Sequence, residues 1–436
     1  MKVLFFIRQR SFAKYIMIDI LNAIRDLGWE VKWKDLEEFV RLNKDLSEEK
    51  KHNAVAGLLS DIKKFNPDLI FSYGLEYFSS VFEELLPTLN LPFHKIYDKP
   101  AVCFFFDFGY PFDTSEMDDV IREFFSNLQR PNYRFFCWDK DALEIMREFG
   151  LTKSFYFPMA VNEKIFYKLD KPYSSYKNYK SNILFVGGAT PERIAHLEGL
   201  ADLGLKVYGY DNQQWEANHY LKGCYCGPIK EIGPLRECYN ATKISVNITR
   251  PHGSSSLNMR VYEAMACGSL MLTDDKGDAR ELFMENEEII IYTSEKDLRK
   301  KAEYFLKNKY KREEIAEAGR RRVLKEHTYF ARLKKHLPLI IQYFKELAVF
   351  NKVETLAEED PKTALALISQ REIIDLVPNN MDNYYHQVAR LNFILKDIPS
   401  AGIAIAQGLK VNPFHVEIQK LNENLNSAHP PDSLTK

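Results

Sequence analysis

Apolar positions run along this chain in two rhythms, and the dominant one changes twice. Up to about residue 160, near-continuous apolar runs alternate with stretches that repeat every three to four residues. The runs KVLFFI (2–7), PDLIFSY (67–73), PAVCFFFDF (100–108), YRFFCW (133–138) and SFYFPM (154–159) predict buried strands. Between them the period predicts helices over Phe12–Leu27, Lys50–Phe65 and Asp139–Phe149. Strands apolar on both faces and separated by helices imply a parallel sheet covered on both sides. The polar, tyrosine-rich YKLDKPYSSYKNYKSN (167–182) has no apolar period and reads as a linker. The strand rhythm then restarts with ILFVGG (183–188), KVYGY (206–210), ISVNIT (244–249), LMLTD (270–274) and EIIIYT (288–293). Helices are expected at about 191–203, 233–241, 257–267 and 295–307. Two doubly wound α/β halves are therefore expected, with a ligand cleft between them.

Beyond Lys311 the pattern is helical throughout. Lys311–His327 predicts a charged helix and Tyr329–Phe350 a longer amphipathic one. The remainder nearly repeats itself: DPKTALALI from Asp360 resembles DIPSAGIAI from Asp397, and LVPNN resembles VNPFH around Pro378 and Pro413. These offsets are close to the roughly 34-residue tetratricopeptide period, so a short tetratricopeptide-like module is favoured over an ordinary helical extension. The expected organisation is a first domain over 1–165, a linker over 166–182 and a second domain over 183–327. A long helix (328–350), tetratricopeptide-like helices (351–428) and a disordered end (429–436) follow.

Composition narrows the function classes. A formal charge of −1 gives no electrostatic reason for nonspecific nucleic-acid binding. The opening MKVLFFIRQRSF has too short an apolar run for a signal peptide or a membrane span, and no transmembrane segment is found elsewhere. Six cysteines without framework spacing suggest reduced thiols and a cytoplasmic protein, peripheral at a membrane surface at most. Cys224 and Cys226 lack a second ligand pair at zinc spacing and read as packed thiols.

The chemistry concentrates in NMRVYEAMACGSLMLTDD (258–275). Leu257, Met259, Val261, Tyr262, Ala264, Met265, Ala266 and Cys267 surround a helix with apolar surface, so the helix is buried. Arg260 and Glu263 nevertheless project from one side of it. An i,i+3 ion pair would satisfy them locally. The flanks point to a ligand instead. RPHGSSS (250–256), with Arg250, Gly253, Ser254, Ser255 and Ser256, follows a strand end and opens the helix. Free N–H groups and the positive helix end suit phosphate there, although the serines would also serve as simple N-caps. Gly268 ends the helix as a C′ residue, and LMLTD brings Thr273 and Asp274 to the neighbouring strand end. A carboxylate beside a phosphate site fits a ribose diol, hence a nucleotide diphosphate.

These residues resemble a known family: the group 1 glycosyltransferases of the GT-B fold, in particular the CgeB-like branch named after a spore-maturation protein. The similar segments are LFVGGATPERIAHLEGL (184–200), VYGY (207–210), CYNATKISVNITRPHG (238–253), NMRVYEAMACGSLMLTD (258–274), EEIIIYTSEKDLRKKAEYFLKN (287–308) and EHTYFAR (326–332). They cover the second α/β half; the first is similar only in outline, through FNPDLIFSYG, CFFFDFGYP and FYFPMAVN, and the tail lies outside. The resemblance implies a GT-B enzyme without metal or cofactor that takes a nucleotide-diphosphate sugar, UDP-linked by expectation. By the same resemblance Glu263 grips the ribose, Gly187 and Gly188 form the turn that approaches the pyrophosphate, and Arg193 lies where relatives send a cation to the phosphates. Many retaining group 1 enzymes carry a second glutamate eight positions before the first. Ser255 stands there in this chain, leaving the donor-sugar contact to Ser254, Ser255, Ser256 or Asn258.

Transfer needs a stabilised diphosphate leaving group, and backbone N–H groups with Arg193, Arg250 or Arg260 would supply it. Asp107, at a strand end, and His252 are the candidate bases, with Glu76 third. Asp139-Lys-Asp141 mimics a metal-binding D-x-D, but an N-cap with a first-turn acid explains it without metal. The first strand lacks G-x-G-x-x-G, which argues against a dinucleotide there. The expected function is transfer of a sugar to a hydroxyl of a surface glycan or protein, with the helical repeats recruiting a protein partner. A noncatalytic nucleotide-sugar-binding or scaffold protein and a GT-B sugar epimerase are the alternatives.

Overall fold

The structure, a computed structural model, describes residues 1–7, 14–73, 99–105, 133–148, 150–170, 178–209, 212–229, 231–249 and 255–428. The sequence-predicted residues Glu76, Asp107, Arg250, His252, Gly253 and Ser254, and the segment 429–436, lie outside the described residues.

In chain order the first elements are β1 (Lys2–Ile7), α1 (Lys14–Asp26), β2 (Glu30–Asp35), α2 (Leu36–Asn43) and α3 (Glu48–Phe65). Then come β3 (Leu69–Tyr73), β4 (Ala101–Phe105), β5 (Tyr133–Cys137), α4 (Lys140–Glu148) and β6 (Ser154–Tyr156). The second series comprises β7 (Ser181–Val186), α5 (Pro191–Glu198), β8 (Leu205–Tyr208), α6 (Asn212–Ala217), α7 (Ile232–Asn240) and β9 (Thr242–Asn247). It continues with α8 (Met259–Ala266), β10 (Leu270–Asp274), α9 (Gly277–Leu282), β11 (Ile290–Tyr292), α10 (Glu295–Lys307) and α11 (Lys309–Glu326). The tail holds α12 (Tyr329–Glu359), α13 (Pro361–Ile368), α14 (Arg371–Leu376), α15 (Met381–Ile394), α16 (Ile398–Val411) and α17 (Val416–Ala428).

The chain divides into two compact units. One comprises Met1–Cys137, Ala142–Tyr156 and His336–Lys436; the other comprises Trp138–Asp141 and Phe157–Lys335. The first unit is built on a six-stranded parallel sheet in the order β2-β1-β3-β4-β5-β6. Its inner strands β1, β3, β4 and β5 are apolar on both faces, as a parallel sheet between helices requires. On one face Phe5, Phe71, Phe104 and Phe136 stack from strand to strand, with ring centroids 6.1, 5.5 and 5.4 Å apart. The opposite face packs Leu4, Phe6, Ile70, Cys103 and Phe135 against α3 and α4.

The strand β2 and the short helix α2 have no counterpart among the sequence expectations. β2 reads EVKWKD, and its lysines mask the strand signal because it is an exposed sheet edge, where charge discourages pairing with another chain.

The tail helices belong to this same unit, and a buried polar seam joins them to the sheet. Arg134 on β5 pairs with Glu346 on α12 at 3.2 Å, and both side chains are almost fully buried. The Arg134 guanidinium also lies 3.8 Å from the Tyr343 ring centroid. Asn412 donates to the Gly150 carbonyl and to Asp382, each at 3.1 Å. Lys153 is buried beside Asp382, and desolvation pushes its ammonium down to about 8. Two of the tail helices open alike: Asp360 accepts from the Lys362 and Thr363 amides, and Asp397 from the Ser400 amide. The first of these is eight residues long and the second fourteen, so the repeat is imperfect. The helix α12 extends nine residues beyond the expected Phe350 and carries Pro338 within it.

The second unit is a five-stranded parallel sheet, β11-β10-β9-β7-β8, with a core centred on Phe185, Val207, Trp215, Val246, Leu272 and Tyr292. Among the described residues no helix is long and apolar enough to cross a membrane.

Candidate functional site

In the second sheet the chain leaves β7 for β8 on one side and returns to β9 on the other. The carboxyl ends of β7 and β9 therefore diverge, and open α/β sheets bind ligands at such a point. Gly187 and Gly188 follow β7 there, and Ile248 and Thr249 follow β9.

The glycine turn is held closely. The Gly187 amide donates to the Tyr208 carbonyl at 2.9 Å, at the end of β8. A Cβ added at Gly209 would lie only 1.7 Å from the Gly187 carbonyl oxygen, so this close approach requires glycine. Gly209→Ala should accordingly force the ends of β7 and β8 apart, at a cost of about 1–3 kcal/mol. Denaturant unfolding checks it, a wild-type midpoint being the adverse result.

Arg193, on the first turn of α5, is buried rather than turned to solvent. Its Nε and Nη2 donate to the Ile248 carbonyl at 3.1 and 2.9 Å, and its Nη1 to the Gly188 carbonyl at 3.0 Å. The guanidinium thus bridges the two diverging strand ends. It braces the turn and adds positive charge directly behind it.

The other strand ends are tied by a side-chain net. Asp274 accepts from the Thr249 amide and hydroxyl at 3.1 and 3.0 Å, and from the Thr273 hydroxyl at 3.2 Å. Asn247 donates to Thr273 at 3.1 Å and accepts from Asn258 at 2.7 Å. Asn258 is itself the N-cap of α8, its side chain accepting from the Arg260 amide at 3.0 Å. Asp274, Thr273 and Asn258 therefore hold the frame from which the 250–256 loop springs. Asn247 is the hub of this net and was not among the sequence candidates; its signal was a lone amide inside the apolar run ISVNIT. At the far end of α8, Gly268 takes φ +87°, the left-handed conformation that stops a helix.

Ser255 and Ser256 meet residues 138–141 within this unit. The Ser255 amide donates to Asp141 at 3.1 Å, and the Lys140 amide to the Ser256 hydroxyl at 3.3 Å. Among the described residues the buried Ser255 hydroxyl oxygen has no hydrogen-bond partner. Asp139 accepts from the Asp141 amide at 2.9 Å, so both acids of the D-x-D lookalike are engaged in local structure. Of the paired thiols, Cys224 is buried and Cys226 exposed.

Glu263 lies on α8, five residues past the cap and so about 8 Å along the axis. It is 8% exposed, and the Tyr239 hydroxyl of α7 donates to it at 3.3 Å. Desolvation pushes its carboxyl up to about 7, although the Arg260 charge and the Tyr239 hydrogen bond both favour the ionised form. A buried acid so nearly balanced gains from any ligand that brings further donors. No hydrogen bond in the net just described reaches Glu263, so the structure sorts the sequence-predicted residues into two groups. Gly188, Arg193, Asn258, Thr273 and Asp274 belong to the strand-end net; Arg260 and Glu263 form a second group with Tyr239, which the sequence reading missed.

Residues 192–337 match the family model described as Glycosyl transferase-like. Spore protein CgeB of Bacillus subtilis (strain 168) is 24% identical over 207 residues, which is 44% of this chain and 62% of that protein, so the chain spans less than two thirds of that relative. Among solved structures, Anabaena HepE in complex with UDP-glucose is 13% identical, with a TM-score of 0.55 over 78% of this chain and 99% of that one. Sucrose-phosphate synthase from Thermosynechococcus elongatus, also 13% identical, gives a TM-score of 0.55 over 79% of this chain and 99% of that one. A glycosyltransferase from Rickettsia africae is similar at a TM-score of 0.54 and 13% identity, over 79% of this chain and 98% of that one. At these identities the structural likeness is one of fold, two Rossmann-like parallel sheets of the GT-B class.

Proposed function

We propose that this chain is a glycosyltransferase of the CgeB-like branch that takes a nucleotide-diphosphate sugar, UDP-linked, and transfers the sugar to a hydroxyl acceptor. The observation that carries this reading is the pairing of a glycine turn at the β7/β9 switch point with a buried acid, Glu263, on the helix that follows the 250–256 loop. The turn and the loop amides would take the diphosphate and Glu263 the ribose diol. HepE, similar in fold, has been captured with UDP and glucose, which agrees with such a donor.

Residues 183–327 would hold the donor and 1–165 the acceptor side, with 328–350 returning the chain to the first domain. As the diphosphate leaves, negative charge grows on its oxygens, and oriented N–H groups with Arg193 behind them stabilise it. Asp107 and His252 remain the candidate bases. The chemistry calls for no metal here, and both Asp139 and Asp141 already serve local structure. The helices of 351–428 would act as a tetratricopeptide-like module that recruits a protein, with a surface glycan or a protein as acceptor and the cytoplasm as the site of action. Ser255, where many relatives carry a glutamate, favours a second reading: a noncatalytic nucleotide-sugar binder.

The test is a donor screen followed by turnover with candidate acceptors. UDP released from a UDP-sugar only when acceptor is present supports transfer. Binding without turnover supports the noncatalytic reading, and sugar interconversion without acceptor supports an epimerase.

A further inference from the structure

Two observations single out Tyr239. Its hydroxyl is the hydrogen-bond donor to Glu263, at 3.3 Å, and its ring is locked in place. It is 2% exposed, with the Phe166 ring set edge-on to it at 6.1 Å. The segment around Phe166 is in turn laced to α7 on both sides. Arg236 donates to the Ile165 carbonyl at 3.1 Å, and Asn240 donates to the Tyr167 carbonyl at 3.0 Å while accepting from the Leu169 amide at 2.8 Å. Three hydrogen bonds thus fasten the segment that carries Phe166 to the helix that carries Tyr239.

We propose that Tyr239 is the positioning residue for nucleotide capture: its hydroxyl holds the Glu263 carboxylate in the orientation and the ionised form that a ribose diol requires. This rests on the nucleotide-sugar reading of Glu263. An ionised carboxylate has about four lone-pair sites on its two oxygens, enough to accept one protein donor and both hydroxyls of a diol. A hydrogen bond donated to the ionised form favours that form. Tyr239 gives this bond to Oε2, and among the described residues no other hydrogen bond to the carboxylate competes with a ligand. The charged and titratable groups acting on Glu263 are Tyr239 from α7 and Arg260 from α8 itself. Cys267, at the end of α8, feels the Glu263 charge in turn, and Arg236 faces that thiol.

The test is Tyr239→Phe, which keeps the ring and removes the hydroxyl. The ligand-free protein, labelled with 13C-glutamate and with the Glu263 signal identified through Glu263→Gln, should titrate about one pH unit higher in the variant. UDP-glucose, used as the probe in calorimetry, should bind the variant about fivefold more weakly at pH 7 and recover by pH 9, because higher pH restores the carboxylate. A purely packing role predicts no such recovery. An unchanged Glu263 titration, with Glu263→Gln still weakening the probe, overturns the role of Tyr239 alone. UDP-glucose binding equally to wild type and Glu263→Gln overturns the ribose assignment, and the capture role falls with it.

Discussion

Glu263→Gln should make the ligand-free protein more stable at pH 8 and, at the same time, loosen its hold on UDP-glucose. The Glu263 carboxyl titrates near 4.5 in an unfolded chain and at about 7 in the fold. Between those values the folded state binds more protons than the unfolded one, so stability falls as pH rises. Above pH 7 the full cost of holding a buried carboxylate applies, about 3 kcal/mol at most. Below about pH 4 the acid is protonated in both states and the cost vanishes. Glutamine keeps the shape without the charge, so a gain of about 1–3 kcal/mol is expected at pH 8 and almost none at pH 4. Denaturant unfolding at the two pH values measures this; equal stabilities at pH 8 would refute it. Hydrogen bonds to a charged acceptor contribute about 1.5–3 kcal/mol each, so losing the ionised acceptor should weaken UDP-glucose by about 10- to 100-fold. Gain in stability with loss of binding is the mark of a residue kept for its ligand.

Glu346→Ala should be among the most damaging substitutions in the first unit, by about 3–5 kcal/mol. It leaves the Arg134 guanidinium buried on β5 without its carboxylate. Glu346 also accepts from Asn380 and Gln342, so the loss spreads into the tail helices. Replacing both partners together, Arg134→Met with Glu346→Leu, should recover most of the stability, because neither member of the pair is then left buried without its counter-charge. Thermal unfolding of both variants decides the matter: a single variant that melts with wild type would mean that the pair is not buried in solution. The same result bears on the tail. Helices joined to a sheet by buried ions and amides fold with it, so deleting 351–428 should destabilise the first unit rather than merely remove an appendage.

The loop of 250–256 and the acids of 139–141 illustrate how far side-chain chemistry can be read from spacing. Asp139 was expected to cap a helix, and it does, through the Asp141 amide. The partnership of Asp141 with Ser255, 114 residues away in sequence, carries no local signature. Arg193 shows the same limit. Its position on the first turn of α5 left it open between a phosphate ligand and a solvated side chain, whereas the fold buries it against two carbonyls brought together only by β7 and β9.

The amino-acid order by itself determined the two parallel sheets. The inner strands of the first sheet and β7 and β10 of the second are largely apolar, a pattern that a sheet between two helix layers buries. It also determined the stop at Gly268 and the buried character of α8, since a helix with apolar residues all round has no other home. It missed β2, α2, α6 and α9, elements of six to eight residues, too short to leave a clear periodic signal. Tertiary structure alone decided that Tyr239 answers Glu263, that Asn247 ties three segments together, and that the tail joins the first sheet through Arg134, Lys153, Asp382 and Asn412. Periodicity reports which face of an element meets the core; which polar group meets which depends on contacts between distant segments, and these exist only once the chain has folded.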